Sequence, residues 1–240
     1  MPAKNNLSQQ QLAQSSRRIM DAQNSIHKNL EQLVTKHFST DYQKPIAQHT
    51  QDAFDAVKQQ VSTSLAGDHP LIFDSCCGTA MSTGIIAQQN SHALVVGIDR
   101  SAARLSKEYN KSMPKNVLLV QAECSDFWSL AVAEGWKLDK HFILYPNPYP
   151  KSKHLKRRWH GHPAFPLLFS LGGSLILRSN WSVYVEEFCM ALEFGLKSRP
   201  VEKLNQKPIM KVVEPKTPLT LFEKKYQESG QSLYQCEFRL

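Results

Sequence analysis

Three acidic side chains follow short apolar segments that we expect to form β-strands. Asp74 ends the first segment, Asp99 ends the second, and Glu123 follows the third. The carboxyl ends of parallel strands meet at one edge of a doubly wound sheet, where ligands bind. Asp99 lies 25 residues after Asp74, close to the spacing at which an acid accepts hydrogen bonds from both hydroxyls of a ribose. The three acids therefore indicate a nucleoside-binding site.

The turn after Asp74 consists of small residues, which let a ligand approach the backbone closely. Gly78 is its only glycine, whereas a dinucleotide-binding turn needs three glycines in the pattern Gly-x-Gly-x-x-Gly. Acids at three strand ends without such a turn favour a ligand that contains a ribose and is itself cationic. S-adenosylmethionine has both properties because it is a nucleoside with a sulfonium and an ammonium group. We therefore predict that it is the cofactor.

The fourth strand leads into a proline-rich loop and then a basic segment. Pro146, Pro148 and Pro150 alternate with other residues and bias the loop towards a stiff, extended backbone. Such a loop at a strand end suits a catalytic platform, and Asn147 lies within it. Residues 151–158 then carry five formal positive charges and no acid, a composition typical of phosphate contacts. The alternative is that this run is a solvent-exposed helix face.

Together these motifs resemble the bacterial tRNA (guanine-N7)-methyltransferases. In that family a strand-end acid, a Gly-Ile-Asp or Gly-Ile-Glu sequence and a third acid precede Asp-Pro-Trp-x-Lys and His-x-Lys-Arg-Arg. Residues 147–151 and 154–158 resemble the last two motifs. Residues 179–181 resemble the family's small-Asp-Trp stretch, and 220–223 match its Thr-x-Phe-Glu. The resemblance covers about residues 70–240, and the proline-rich loop followed by a basic segment makes it specific.

The resemblance implies a fold, a reaction and a set of contacts. The implied fold is α/β, a Rossmann-like seven-stranded class I methyltransferase sheet with helices on both faces. The implied reaction transfers a methyl group from S-adenosylmethionine to N7 of a guanine in tRNA, with guanine 46 of the variable loop as the expected target. The implied cofactor contacts are Asp74, Gly78, Asp99, Glu123 and Asn147, with Asn147 also at the methyl-transfer centre. The implied tRNA contacts are Lys151, Lys153, His154, Lys156, Arg157, Arg158, Asn180, Thr220 and Glu223.

The chain departs from the family pattern at four positions. Cys76 and Ala80 replace two glycines of the cofactor-binding turn, and Asn147 and Asn180 replace two aspartates of the active centre. Because guanine N7 carries no proton, its methylation needs no general base, and an asparagine can act through position and its carbonyl dipole. Two alternatives stay open. The loop also resembles the Asn-Pro-Pro-Tyr loop of enzymes that methylate exocyclic amines, and a non-catalytic tRNA-binding paralogue would need no cofactor.

The elements that must position these residues alternate between strands and helices from residue 70 onward. Apolar runs predict strands at Leu71–Phe73, Ala93–Ile98, Val117–Val120, Phe142–Tyr145 and Ser174–Leu177. Helices are expected between them near 82–89, 101–112, 125–134, 152–170 and 181–196. This alternation predicts a parallel sheet covered on both faces. The C-terminal part predicts a strand near 209–213, a helix near 219–229 and a strand at 232–239.

Residues 1–66 are rich in glutamine and form a predicted N-terminal helical extension, followed by the methyltransferase domain at 67–240. Apolar residues recur every seven positions, at Leu12, Ile19, Ile26 and Leu33. This spacing predicts an amphipathic helix from about Ser8 to Phe38 that packs on the body of the protein. A second helix is expected from about Ile46 to Leu65, ended by Gly67.

Composition excludes several classes of protein. The 240 residues carry 29 Lys+Arg and 21 Asp+Glu, a net charge of +8 that permits a polyanionic partner such as tRNA. No uncharged apolar run reaches the ~18 residues of a membrane span. The five cysteines form no Cys-x-x-Cys pair, which disfavours a zinc site or disulfide scaffold and favours the reducing cytoplasm. We expect no metal, and a monomer or homodimer.

Overall fold

Seven strands form one sheet in the part of the chain that the computed structural model describes, residues 22–107, 112–199 and 207–240. The strands are β1 (Leu71–Ser75), β2 (Leu94–Asp99), β3 (Val117–Gln121), β4 (Lys140–Leu144), β5 (Ser174–Ser179), β6 (Ile209–Val213) and β7 (Leu233–Arg239). Their order is β3-β2-β1-β4-β5-β7-β6. Strands β1 to β5 are parallel, and β7 is antiparallel to both of its neighbours. The predicted α/β sheet and its strands are confirmed.

The strand order explains where a ligand can bind. Every residue of β1 and β2 is buried, which is why these strands appear in the sequence as continuous apolar runs rather than alternating patterns. The chain runs from β1 outward to β3 and then returns to β4 on the other side of β1. This reversal between β1 and β4 is a topological switch point, and ligands of doubly wound sheets bind outside the carboxyl ends of the strands there. The turn after β1 and the proline-rich loop after β4 are therefore neighbours.

Helices cover both faces of the sheet. They are α1 (Leu30–Phe38), α2 (Gln48–Ala66), α3 (Met81–Gln89), α4 (Ala102–Leu105), α5 (Cys124–Ala133), α6 (Phe165–Leu171), α7 (Ser182–Lys197) and α8 (Leu221–Glu228). Because side chains alternate along a strand, neighbouring residues of β1 belong to different cores. Phe73 packs in the larger core with Phe54 of α2 and Phe127 of α5. Ile72 packs in the smaller core with Ile86 of α3.

The N-terminal helices are part of the larger core. Leu30 and Val34 of α1 are buried in it, and the ring of Phe54 in α2 stacks on Trp136 with centroids 4.8 Å apart. The predicted second helix is thus confirmed. A domain boundary between residues 66 and 67 stays a prediction, since α1 and α2 share their core with the sheet.

The predicted long N-terminal helix is wrong over residues 22–29, which are not helical. The backbone N–H of His27 instead donates to Glu187 Oε1 of α7 at 2.8 Å, and the Gln23 amide donates to the same oxygen at 2.6 Å. These contacts with a distant carboxylate replace the local hydrogen bonds of a helix. The part of the predicted helix between residues 8 and 21 lies outside the described residues.

The helix predicted over 152–170 is also wrong, because the chain forms two 3-10 segments, Ser152–Arg157 and Trp159–Gly161, before α6. A β-carbon at Gly161 would collide with the carbonyl group of Leu155, so the glycine permits this tight fold. The helix expected at 101–112 is limited to α4, and residues 108–111 lie outside the described ranges. Among the described helices, none has the length and apolar character needed to cross a membrane.

Candidate active site

The turn that follows β1 passes through left-handed backbone at three positions. Cys76, Gly78 and Ala80 have φ angles of 61°, 61° and 58°. A β-carbon costs roughly 1–2 kcal/mol in this conformation, which explains why glycine suits the positions of Cys76 and Ala80 in the family that the chain resembles. The turn thus adopts a glycine-type backbone path although two of the three residues carry small side chains.

Asp74, at the end of β1, links the start of this turn to the helix that follows it. Its carboxylate is buried, and Oδ2 accepts hydrogen bonds from Ser82 Oγ at 2.6 Å and Thr83 Oγ1 at 2.7 Å, both in α3. Burial raises the pKa of Asp74 to about 6, the hydroxyl hydrogen bonds oppose this rise, and the charge of Asp99 adds to it. Asp74 Oδ1 has no hydrogen-bond partner among the described residues. A buried acceptor without a protein partner can be satisfied by an ordered water.

Asp99 joins the end of β2 to the turn. Its side chain is only 3% exposed, and its Oδ2 accepts from the Gly78 N–H at 3.0 Å and from Arg104 Nη1 at 3.2 Å. Its Oδ1 accepts from the Ser101 N–H at 2.8 Å. Among the described residues that donate to this carboxylate, the exposed Arg104 is the donor that a ligand hydroxyl could displace.

A cavity of about 550 Å³ lies at the carboxyl edge of the sheet. This volume is within the ~300–1,000 Å³ range of small-molecule sites. Five of the predicted site residues line it, namely Asp99, Glu123, Asn147, Lys156 and Arg157. The cavity combines two carboxylates with several cations, so it can hold a zwitterionic or cationic nucleoside next to a polyanion.

Glu123 occupies the N-cap position of α5 and faces the cavity. Its side chain is 38% exposed and lies 4.0 Å from Arg100 Nη1. Its backbone N–H donates to Thr50 Oγ1 of α2 at 3.2 Å, so the N-terminal extension helps to fix this wall of the cavity.

The proline-rich loop forms another wall. Tyr145 and Tyr149 have left-handed φ angles of 51° and 44° on either side of Pro146, Asn147 and Pro148. Left-handed backbone at bulky residues is costly and persists only where the surroundings enforce it. Asn147 Oδ1 accepts from the Tyr149 N–H at 3.3 Å, and the side chain is exposed to the cavity. The loop thus presents the Asn147 amide in one fixed position.

The implied contact of Glu223 with tRNA does not fit the surroundings of this side chain. Glu223 is buried, and its Oε1 accepts from Tyr145 Oη at 2.8 Å and from Arg178 Nη1 at 2.8 Å, while Oε2 accepts from the Leu219 N–H. Thr220, expected to contact tRNA, is the N-cap of α8 and accepts from the Glu223 N–H at 3.0 Å. The prediction for Glu223 is wrong in this arrangement, because its buried carboxylate supports the loop through Tyr145. Thr220 is partly exposed and does not line the cavity, and its contact with tRNA stays a prediction.

Arg158 requires a similar correction. Its side chain is fully buried and pairs with Glu187 Oε2 at 2.6 Å, so it cannot contact tRNA phosphates. The guanidinium also donates to the carbonyl oxygens of Tyr149 and Lys151 and lies over the Trp181 ring, 4.9 Å from its centroid. The prediction that Arg158 binds phosphate is wrong, because Glu187, 29 residues later in the sequence, neutralises the buried guanidinium.

The other cations of the segment are exposed and stay candidates for phosphate contacts. They are Lys151, Lys153, Lys156 and Arg157, with the partly exposed His154 between them. Desolvation lowers the pKa of His154, and the charges of Arg157 and Lys153 lower it further. Asn180 lies apart from this group, where its amide donates to Gln231 Oε1 at 2.8 Å, and it does not line the cavity.

Several residues that line the cavity were not identified from the sequence. Lys44 of the N-terminal extension lies there and pairs with the buried Asp126 at 2.7 Å. Burial lowers the pKa of His162 to about 4, so this cavity residue is neutral at pH 7. The contact of Arg104 with Asp99 could have been predicted from the sequence, because a cation five residues after a strand-end acid can reach that acid. Within the described ranges, no group of three or more side chains is arranged to hold a metal ion.

Comparison with known proteins agrees with this geometry. Residues 68–236 match the model of the methyltransferase family Methyltransf_4. The chain is 26% identical to the tRNA (guanine-N(7)-)-methyltransferase of Treponema pallidum (strain Nichols) over 179 residues, which cover 70% of this chain and 66% of that protein. It is also 26% identical to the enzyme of the same name from Thiobacillus denitrificans, covering 68% of this chain and 72% of that one. The chain thus spans slightly less than two thirds of the Treponema relative.

Solved structures show the same fold. The 16S rRNA methyltransferase KamB matches with a TM-score of 0.55 at 17% identity, covering 78% of this chain and 93% of that one. An antibiotic-related methyltransferase also matches with a TM-score of 0.55, at 13% identity, covering 76% and 94%. At such low identity these matches establish the methyltransferase sheet architecture and no substrate.

Proposed function

The chain belongs to the methyltransferase family Methyltransf_4, and we propose that it transfers the methyl group of S-adenosylmethionine to N7 of a guanine in tRNA. The observation that carries the proposal is one cavity that joins Asp99 and Glu123 to Asn147 and to the exposed cations Lys156 and Arg157. A nucleoside site, a methyl-transfer loop and a phosphate-binding surface thereby meet at one sheet edge. Guanine 46 of the variable loop is the proposed position, in a cytoplasmic monomer or homodimer.

The residues present fit the cofactor. Asp99 would accept the ribose hydroxyls, with Arg104 moving aside, and Glu123 would face the nucleoside from the end of β3. Asp74 is buried behind the turn and does not line the cavity, so its Oδ1 would accept from the ammonium of the methionine part through a bridging water. The left-handed turn at Gly78 lets the ligand approach the backbone. When bound, S-adenosylmethionine supplies an electrophilic methyl group.

Guanine N7 is a bare acceptor, so no group on the protein has to remove a proton. The residues of the chain therefore act by orientation and by electrostatics. Asn147 would hold the base in line with the methyl group, and its fixed amide dipole would face the ring as positive charge develops there. The positive charge is on the sulfonium before transfer and moves to the guanine ring during it. Asn147 therefore accelerates the step only if it stabilises the charge on the ring better than the charge on the sulfonium.

The tRNA backbone would lie across the exposed cations. Lys156 and Arg157 line the cavity, and Lys151, Lys153 and His154 continue the same segment away from it. The guanidinium of Arg157 lies 5.7 Å from the centroid of the Tyr149 ring, beside Asn147. This arrangement supports phosphate binding next to the proposed position of the base.

Nucleoside analysis by mass spectrometry tests the proposal directly. Unmodified tRNA is incubated with the protein and S-adenosylmethionine carrying a labelled methyl group, and the digest is examined. We expect labelled 7-methylguanosine, and none with the Asp99→Ala variant as the matched control. Labelled N6-methyladenosine or another exocyclic methylamine would instead support the alternative of an enzyme that methylates exocyclic amines, in which Asn147 orients the amine. Absence of both product and cofactor binding would indicate a non-catalytic tRNA-binding paralogue.

A further inference from the structure

A second cavity of about 400 Å³ separates α1 from the 3-10 segment Ser152–Arg157. Lys36 lies on its α1 side, and Lys153 and Lys156 lie on the opposite side. His27 and Gln32 add further polar groups to its lining. We name this feature the basic groove.

Within the part of the chain that the structure describes, no carboxylate compensates the charge of the basic groove. No Asp or Glu is among the described residues that line it, and within the described ranges no carboxylate forms an ion pair with Lys36, Lys153 or Lys156. Burial lowers the pKa of His37, and the charges of Lys36 and Lys156 lower it further, against a hydrogen bond from the ring to Gly161. Cations from two separate elements therefore act on the same small region, as in a site for an anion.

The basic groove and the candidate active site share a lining residue. Lys156 lines both cavities, so an anionic chain that passes Lys156 can contact both of them. The amide of Gln32 supplies a further donor suited to phosphate or 2′-hydroxyl oxygens. A nucleic-acid backbone could contact both cavities and supply anions to the groove, because it is a continuous chain with a phosphate at every nucleotide.

We propose that the basic groove binds backbone phosphates of the tRNA next to the methylated nucleotide, which makes α1 part of the RNA-binding surface. This inference rests on the proposed function and adds Lys36 to it. The sequence resemblance begins near residue 70, so it assigned no role to α1.

The position of Lys36 is fixed by contacts that do not involve its own side chain. Leu30 and Val34 bury one side of α1, and Glu187 holds the chain just before the helix through the His27 N–H. Lys36 itself is exposed, so its substitution should leave folding intact. A loss of tRNA binding in Lys36 variants can then be assigned to the missing charge.

The salt dependence of tRNA binding tests the groove. Log affinity falls with log salt by a slope of ~0.7–0.9 for each phosphate neutralised. We expect Lys36→Gln to flatten that slope by about one such unit, so that raising salt from 50 to 200 mM weakens the variant about threefold less than the parent. Lys36→Arg should keep the parent slope because it keeps the charge. The matched control is Lys115→Gln, an exposed lysine before β3 at the opposite, amino-terminal edge of the sheet.

The outcomes separate the groove from the proposed function. If the parent methylates tRNA and Lys36→Gln shows the slope of the parent and of Lys115→Gln, the groove proposal is overturned while the function stands. If the parent neither binds nor methylates tRNA, the proposed function itself fails. A flattened slope in Lys36→Gln alone, with unchanged affinity for S-adenosylmethionine, supports phosphate binding by α1.

Discussion

Arg158 Nη1 lies 2.6 Å from Glu187 Oε2, and both side chains are fully buried. Glu187 also binds His160, at 2.9 Å, and the N-terminal segment through Gln23. Arg158 in turn donates to the carbonyl oxygen of Tyr149, the residue that follows the Asn147-Pro148 pair. The ion pair thus ties the proline-rich loop to α7 and to the N-terminal segment, and Arg158 is a positioning residue for Asn147.

The adjacent arginines should therefore behave differently. Arg158→Met removes the charged partner of the buried Glu187, which keeps its hydrogen bonds with His160, Gln23 and the His27 N–H. Loss of one member of a buried ion pair typically costs about 3–5 kcal/mol of the free energy of unfolding. Arg157→Met, the matched control, changes an exposed side chain and should leave stability within about 0.5 kcal/mol while weakening tRNA binding. Urea unfolding and tRNA affinity are measured for both. Equal stability losses would contradict the structural assignment.

The double variant Arg158→Met, Glu187→Leu separates stability from positioning. Replacing both members of a buried ion pair by apolar residues is often neutral for stability. Glu187→Leu also removes the acceptor of the His27 N–H, Gln23 and His160, so we expect only part of the lost stability to return. The value of kcat should stay low because the Tyr149 and Lys151 carbonyls lose their donor. A double variant with parental kcat would show that the pair does not position the loop.

Asp74 should make stability depend on pH in the acidic range. Its pKa is about 6 in the folded protein and near 3.8 when unfolded, so the folded state binds the proton more tightly. The free energy of unfolding should fall as pH rises from about 4 to 6, by up to ~3 kcal/mol from this group. Asp74→Asn should remove this component. Urea unfolding of both proteins between pH 4 and 7 measures it, and a constant difference across that range would contradict the expected pKa.

Asp99 should carry much of the cofactor affinity. Asp99→Ala removes the acceptor for two ribose hydroxyls, with hydrogen bonds to a charged group worth up to ~1.5–3 kcal/mol each. It also releases the Gly78 N–H, so Asp99→Asn, which keeps an acceptor oxygen, should lose less. Calorimetric titration with S-adenosylmethionine measures both variants. Parental affinity in a folded Asp99→Ala protein would remove this residue from the cofactor site.

Restoring the carboxylate of the family at Asn147 should maintain or raise 7-methylguanine formation. A carboxylate about 4 Å from a unit charge is worth ~4 kcal/mol at an effective dielectric of ~20, but only the part gained during transfer increases the rate. Asn180→Asp is the control, because Asn180 binds Gln231 and does not line the cavity. Single-turnover rates with tRNA are compared. A large loss of 7-methylguanine formation in Asn147→Asp alone would contradict the expectation that this side chain faces the positive charge developing on the ring.

The sheet and part of the candidate site follow from local sequence features. Buried parallel strands need continuous apolar runs, so β1 and β2 are predictable from the order of their residues alone. Asp99, Glu123 and Asn147 follow parallel strands, and the carboxyl ends of such strands share one edge, so their meeting in one cavity was predictable. The left-handed turn after β1 was less evident, because Cys76 and Ala80 replace the glycines that would signal it.

Tertiary structure alone decided what the charged side chains do. Arg157 and Arg158 are identical in type and adjacent in sequence, yet one lines the cavity and the other is buried against Glu187, 29 residues away. Glu223 is the last residue of the Thr-x-Phe-Glu motif, which implied a tRNA contact. Its Oε1 instead accepts a hydrogen bond from Tyr145, 78 residues away. A buried charge must find a partner, and that partner can come from any part of the chain. Local sequence therefore determined which residues carry charge, and long-range packing determined which of them remain available to a ligand.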